Sequence, residues 1–304
     1  MRSLLLAPSR IAPLAPRVSR VLPEILTLDP EHDAQRVARL SGGVDFPWDT
    51  RRAYELALLK TFAVPSSSRL LTATGELTER TAKRHDDTVA VIATLGLHGY
   101  DAPEGRAALR AMNRAHRGHA IPMEEYRYTL SLFVLEPLRW NDRFGWRALS
   151  MVERRAGLVF WREVGRRMGI ADVPDDLGAL EAESRAFEAR QVGFDPANRR
   201  LFDAVLALQV RRARLPAAVL PGARAAVAAL LDEPMRAAFA LDRPSAALER
   251  SVTGALRLGA SLARRRPARR TPVGVPRLAS HPGGIAWERV GPHRPARASS
   301  RSER

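Results

Sequence analysis

Cysteine is absent from the 304 residues. That excludes disulfides, cysteine-ligated zinc, iron–sulfur clusters and any haem held or attached through sulfur of cysteine. Lysine is nearly absent as well: Lys60 and Lys83 stand alone beside the arginines in a total of 49 basic residues. No apolar run reaches the roughly 18–20 residues that a membrane span needs, and the leucines of "MRSLLLAPSR" form too short a run for a signal peptide. Strand-like alternation is scarce. No Glu is followed by His three positions later, so the Glu-x-x-His pairs of a di-iron carboxylate bundle are missing.

Arginine and helical periodicity fill that space. The net charge is +16, and the stretch from Arg264 to Arg304 carries eleven Arg against Glu288 and Glu303, more than half of the excess. Such a balance admits a nucleic-acid or anionic-membrane partner. The basic tail lacks aromatic interleaving beyond Trp287, which speaks against specific nucleic-acid binding. Peripheral membrane contact through either basic end remains, with a cytoplasmic location as the default. Residues 1–27 read as a flexible arm, residues 264–304, rich in Pro, Arg, Ser and Gly, as a disordered tail, and residues 28–263 as one all-α domain.

Within that domain the apolar spacing predicts helices over "EHDAQRVARL", stopped by Gly42-Gly43, and over "WDTRRAYELALLKTFA", ended before Pro65. A third covers residues 77–99. A fourth, "APEGRAALRAMNRAH", follows a capping Asp101 and closes at Gly118. A fifth begins at Pro122 and stops or bends before Pro137. Ser150 and Glu153 form a capping box in front of the next. Further helices are expected at about 177–191, 196–213, 216–232 and 245–266.

Two places in this scaffold carry chemistry. The dipeptide His85-Asp86 in "KRHDDT" resembles the core of HD-type metal phosphohydrolases, in which imidazole and carboxylate hold a water-activating metal; His32 and Asp142 are the remaining ligands it could use. The second place joins "KRHDDT" to "MNRAH". Arg84 and Thr88 share a helix face with Val91 and Leu95, an apolar face with a guanidinium and a hydroxyl at one end. Arg binds carboxylates well through paired N–H donors. On the following helix Leu109, Met112 and His116 form one stripe, so His116 is expected to be partly buried, either as a hydrogen-bonded core residue or as a haem-iron ligand. His119, after Gly118, reads as a surface neighbour.

The stretch from His85 to Ile170 resembles the MpaB oxygenase family, haem proteins related to the latex-clearing rubber oxygenases. The resemblance lies in "KRHDDTVAVIATLGLHG", in "MNRAHRGHAIPMEEYRYTLSLFVLEPLRWNDRFGWR" and in "ERRAGLVFWREVGRRMGI", and extends more loosely from about Asp29 to Leu208. It implies an all-α fold with globin-like packing around a haem b pocket. His116 would be the proximal iron ligand, with Met112 beside it. Arg84 would orient a propionate, and Thr88 would line the distal face or donate to bound dioxygen. The rubber-cleaving members carry a Lys before that Thr; here the place holds Asp87, which cannot copy the Lys but could position a distal water. Glu136, Arg139, Arg143 and Arg147 are expected to form an ion-pair network near a helix break, Trp140 and Trp146 to pack in the core, and Arg139 to come within reach of a propionate. The implied activity is O₂-dependent oxidative attack on a C=C bond of a small apolar substrate, isoprenoids among the candidates. Besides this oxygenase, the phosphohydrolase and a non-catalytic haem- or lipid-binding protein stand open at this point.

Overall fold

The computed structural model describes residues 18–292, and among them no strand occurs. Residues 1–17 and 293–304, the outer parts of the expected arm and tail, lie outside the described residues. The helices start and stop where local chemistry dictates. Pro47, Pro65, Pro103 and Pro196 open α3 (Pro47–Thr61), α4 (Pro65–Ala73), α6 (Pro103–His116) and α10 (Pro196–Arg212), where a missing N–H costs nothing. Ser150 and Glu153 form both bonds of the expected capping box at α8 (Met151–Met168). Side-chain oxygens of Asp176, Asp195, Asp232 and Ser245 cap α9 (Leu177–Gln191), α10, α12 (Glu233–Ala238) and α13 (Ala246–Ala263). The helix α5 (Thr81–His98) ends at Gly99, whose φ of 77° suits glycine.

Several local expectations are corrected. Gly42-Gly43 do not stop the chain after α2 (Ala34–Leu40); Ser41–Asp45 continue it as a π-helical turn leading straight into α3. Asp101 does not cap α6, because its carboxylate accepts from Gln35 Nε2 and Arg167 instead. The helix α7 runs unbroken from Met123 to Phe144 through Pro137. Tertiary burial on several sides outweighs the one ladder hydrogen bond that Pro137 removes. Short helices α1 (Leu22–Ile25), α4 and α12 carry too few turns for periodicity to reveal them. The expected helix at 216–232 is a 3₁₀ turn followed by α11 (Leu220–Ala228).

The centre is α7, packed between α3, α8 and α9; α5 and α6 pair with each other, α6 also meets α8, and α2 lies across α8 and α5. Val91 and Leu95 of α5, Leu109 of α6, Leu130, Phe133 and Val134 of α7, and Phe160 and Trp161 of α8 belong to one buried cluster. The α5–α6 pair is joined at a very tight corner. A Cβ on Gly105 would fall 1.7 Å from the carbonyl oxygen of Gly99, so only glycine permits this approach.

A second constraint is ionic. Arg147 reaches Asp45 of the π turn and Glu153 of α8, both at 2.7 Å, and Ser41 also donates to Glu153 at 2.6 Å. Both carboxylates are only 1 % exposed. Charges this deep hold their geometry only when paired, and losing one partner is costly.

The expected disorder beyond Arg264 is corrected as far as Pro292. Val273 N–H donates to Gly43, Ser280 N–H to Asp86, and Gly291 N–H to Asp87, while Leu278, His281 and Val290 are buried. Anchors this specific fix a segment whose composition alone suggests none. Likewise residues 18–27, the described part of the arm, include Ile25, which is wholly buried.

The corner gives a paired prediction. Gly105→Ala should destabilise the fold by roughly 1–3 kcal/mol through overpacking. Gly157→Ala, in α8 with no atom within 4 Å of the new Cβ, should stabilise it by about 0.5–1 kcal/mol through helix propensity. Urea midpoints of the two variants check this, and a stabilised Gly105→Ala contradicts the packing of the corner.

Candidate functional site

The helix α6 ends at His116 because Arg117 is extended and Gly118, at φ 93°, turns the chain toward α7. The turn leaves the imidazole at a helix end, beside a cavity instead of inside the ladder. Its Nδ1 lies 2.8 Å from the carbonyl of Met112, one helical turn back. A carbonyl can only accept, so Nδ1 carries the proton and the Nε2 lone pair is left unprotonated. Burial pushes the His116 pKa down; the Met112 carbonyl opposes that shift and the nearby Arg84 charge adds to it. The ring is therefore neutral near pH 7, and it meets Tyr126 edge-on with centroids 5.7 Å apart.

The facing wall is α5. Arg84 Nη1 donates to Thr88 Oγ1 at 2.5 Å, and Thr88 Oγ1 donates its own proton back to the Arg84 carbonyl at 3.0 Å. The Thr88 proton is thus directed into the helix, and the hydroxyl positions the guanidinium. Burial lowers the Arg84 pKa, the charges of Asp87 and Glu76 opposing. Among the described residues no carboxylate lies within 4.0 Å of this guanidinium, unlike those of Arg139, Arg147 and Arg212. Burying a cation without a carboxylate partner is unfavourable, and an anionic ligand would relieve that.

Arg84, Thr88, Met112 and His116 line one cavity of about 280 Å³. Its walls are mainly apolar, with Leu58, Phe62, Leu71, Leu95 and Phe133 among them. Four carboxylates reach it: Glu55, Glu76, Asp87 and Glu125. Glu125 accepts from the hydroxyls of Ser66 and Ser67, both at 2.6 Å, at the start of α4, and Glu76 is paired with Arg80. Glu55 accepts from Arg52 at 2.7 Å and Arg51 at 3.2 Å through one oxygen, yet burial dominates and its pKa is raised. His119 also lines the cavity, so the surface expectation for it is corrected. A second recess of about 380 Å³, bounded by Asn113, Arg117 and Arg167, shares His116, Tyr126 and Met168 with the first.

Other expected site residues lie elsewhere or do other work. Asp87 is 1 % exposed, with Lys83 at 2.6 Å and the Gly291 amide at 3.0 Å on one oxygen and His281 at 2.9 Å on the other. It lines the cavity, and its oxygens anchor the C-terminal segment. Arg139 is corrected: it pairs with Glu136 at 2.7 Å and Glu181 at 3.3 Å, and does not line the cavity. Lys60 joins the same Glu136, whereas Arg147 serves the separate Asp45–Glu153 cluster and Arg143 sits over Phe144, so the expected single network is divided. Trp140 and Trp146 are buried, as expected.

His85 and Asp86 do not form a metal site. Asp86 is held by Arg212 at 2.5 Å and the Ser280 amide at 3.0 Å, and a cation there would face that guanidinium. Arg212 donates to His85 Nδ1 at 2.8 Å, so Nε2 carries the proton and Gln209 must turn its amide oxygen toward it. Among the described residues no three His, Cys, Asp or Glu side chains cluster closely enough to hold a metal.

Sequence reasoning missed Glu125, Tyr126 and the segment Val290–Pro292, all of which wall the cavity. Glu125 and Tyr126 lie in the first turn of α7, readable only as a helix start. Val290 follows Arg84 by two hundred residues, and no local pattern announces that contact.

A sequence model described as the catalytic domain of ER-bound oxygenase mpaB/B′ and rubber oxygenase matches residues 43–265. The chain is 26 % identical to ER-bound oxygenase mpaB′ of Penicillium brevicompactum over 233 residues, covering 71 % of this chain and 55 % of that protein. It is 27 % identical to ER-bound oxygenase mpaB of the same organism over 198 residues, 59 % and 50 % of the two chains. With ER-bound oxygenase mpaB of Penicillium roqueforti (strain FM164) the identity is 30 % over 150 residues, 46 % and 49 %. The chain thus spans about half the length of these curated relatives.

The His85 contacts predict a pH dependence. Burial, and next the Arg212 charge, push its pKa down from 6.5 to about 4. A histidine with a depressed folded pKa stabilises the fold fully above its unfolded value and loses that contribution as pH falls. Between about pH 6.5 and 4 the loss amounts to roughly 3 kcal/mol. His85→Gln should flatten the fall of stability in that window, followed by urea unfolding at stepped pH; an unchanged slope contradicts the assignment.

Proposed function

The chain belongs to the family of ER-bound oxygenase mpaB/B′ and rubber oxygenase catalytic domains, and we propose that it is a haem b-dependent oxygenase acting on a small apolar substrate. The observation that carries this reading is the oriented imidazole of His116 at an apolar cavity whose opposite wall presents the carboxylate-free guanidinium of Arg84. A non-covalent haem has two needs beyond apolar walls. One is an axial ligand with a free lone pair; the other is a cation for its propionates. His116 Nε2 and Arg84 meet them, and the lack of cysteine agrees with a haem held without thioether links.

Bound haem supplies iron on which O₂ is activated. The protein residues do the rest. The Met112 carbonyl fixes the His116 ring and keeps its proton on Nδ1, which raises the basicity of Nε2. Thr88 holds the Arg84 guanidinium in place from one turn away. The leucine and phenylalanine walls bind an alkene and keep bulk water out. Glu55, whose raised pKa brings it toward neutral pH, is the carboxyl placed to accept or return a proton at the cavity. The reaction class is oxidative attack of O₂ on a C=C bond; if the bond is cleaved, each carbon takes one oxygen atom and becomes a carbonyl. The substrate is apolar because the cavity offers it chiefly hydrocarbon, and isoprenoid alkenes fit that description.

Chain produced with ample haem supply should carry a Soret band and stoichiometric iron. His116→Ala should lose both, while His85→Ala keeps them. Arg84→Leu should weaken haem retention by about 10-fold or more, the scale of one lost charge-assisted hydrogen-bond set. A folded, colourless wild-type chain contradicts the proposal. Pigment without O₂ uptake in the presence of alkenes would instead favour the non-catalytic haem-binding reading.

A further inference from the structure

The helix α13 (Ala246–Ala263) lies on the outside of the molecule, and none of its residues is fully buried. It meets the body along one side, where Leu256 packs against the buried cluster of Ala53, Trp140 and Phe144. The opposite side is also apolar. Ser251, Ala255, Leu258 and Leu262 follow the i, i+4, i+7, i+11 spacing of one helical face. All four are exposed, Leu258 by 60 % and Leu262 by 48 %. Close by, Trp48 is 53 % exposed and rests edge-on against Trp140 of that same cluster, with centroids 5.8 Å apart.

Positive charge borders this face. Arg250 and Arg257 run along its flank, and Arg264, Arg265, Arg266, Arg269 and Arg270 follow its end, every one exposed. Between residues 246 and 270 the only acid is Glu249. Among the described residues none of these seven arginines is within ion-pair distance of a carboxylate, although arginines elsewhere in the chain pair freely. Among the described residues no helix is long and apolar enough to cross a membrane, so this is a surface helix.

We propose that α13, with Trp48 and the bordering arginines, docks on an anionic phospholipid surface. The apolar face enters the headgroup–acyl boundary, Trp48 sits at the interface, and the arginines meet lipid phosphates and carboxylates. A second copy of the chain is the poorer occupant, since an isologous contact would bring two sets of unpaired arginines together. Nucleic acid would satisfy the charge but leave Leu258 and Leu262 in water. The inference rests on this surface alone and is independent of haem.

The test is sedimentation of the full chain with vesicles of phosphatidylcholine alone and of phosphatidylcholine mixed with phosphatidylserine. The chain should bind the mixed vesicles and scarcely the neutral ones, with binding falling as salt rises. Arg250→Gln with Arg257→Gln should weaken binding about 25-fold, at about fivefold per charge, and Leu258→Ser with Leu262→Ser should weaken it at least as much. Brominated acyl chains in the mixed vesicles should quench Trp emission in the unmodified chain but much less in Trp48→Phe, a readout that does not require the α13 variants to fold. Equal binding to both vesicles, no binding, or quenching untouched by Trp48→Phe overturns the proposal. So does a concentration-dependent dimer that Leu258→Ser with Leu262→Ser abolishes.

Discussion

One hydrogen bond organises the site: His116 Nδ1–H to the carbonyl of Met112, 2.8 Å away. It is local, made across one turn at the end of α6, and therefore forms whenever the helix forms. Its consequences are not local. It fixes the tautomer, turns the ring toward the cavity, and leaves a lone pair facing a space walled by residues of seven helices. The geometry depends on α6 ending at that residue, which Gly118 enforces, and on α6 lying hard against α5, which Gly105 permits. The guanidinium of Arg84 then stands on the facing helix, desolvated and steadied by Thr88.

The remainder of the fold keeps those two helices in place by satisfying charges that cannot face water. Three consecutive residues of α5 illustrate this. His85 and Asp86 grip Arg212 of α10, and Asp87 grips the returning chain through His281 and Gly291. His85 and Asp87 also line the cavity but spend their polar atoms on these bonds; among the described residues, Arg84 is the charged group of this run that lines it without a carboxylate partner. A helix whose polar residues are otherwise consumed by structural bonds thus isolates one cation for a ligand. The family model ends at residue 265, yet Val290, Gly291 and Pro292 complete the cavity wall. The pocket is accordingly a property of the longer chain.

Much of this was legible from residue spacing. The 3.6-residue period located α5, α6, α8, α9 and α10, and the Ser150–Glu153 box marked the start of α8 to the residue. The separation of Arg84 and Thr88 by one turn, and the stripe from Leu109 to His116, pointed to residues of which Arg84, Thr88, Met112 and His116 line one cavity. What escaped has a common cause: it depends on partners remote in sequence. Asp87 drew notice because it stands where the resembling family carries a Lys; besides Lys83, its partners His281 and Gly291 lie about two hundred residues away. Arg139 looked available until Glu136 and Glu181 claimed it. The segment after Arg264 read as disordered from composition, because backbone bonds to Gly43, Asp86 and Asp87 leave no trace in it. Pro137 suggested a break that burial of α7 on three sides overrides.

The central claim is that the Nε2 atom of His116 is presented as a ligand for haem iron. Replacing His116 by glycine and supplying free imidazole tests it most directly. The account predicts that His116→Gly binds haem poorly by itself and regains the wild-type Soret spectrum as imidazole is titrated in, the small molecule occupying the space of the lost ring. Haem binding by His116→Gly equal to wild type without imidazole, with no spectral change on its addition, would contradict it.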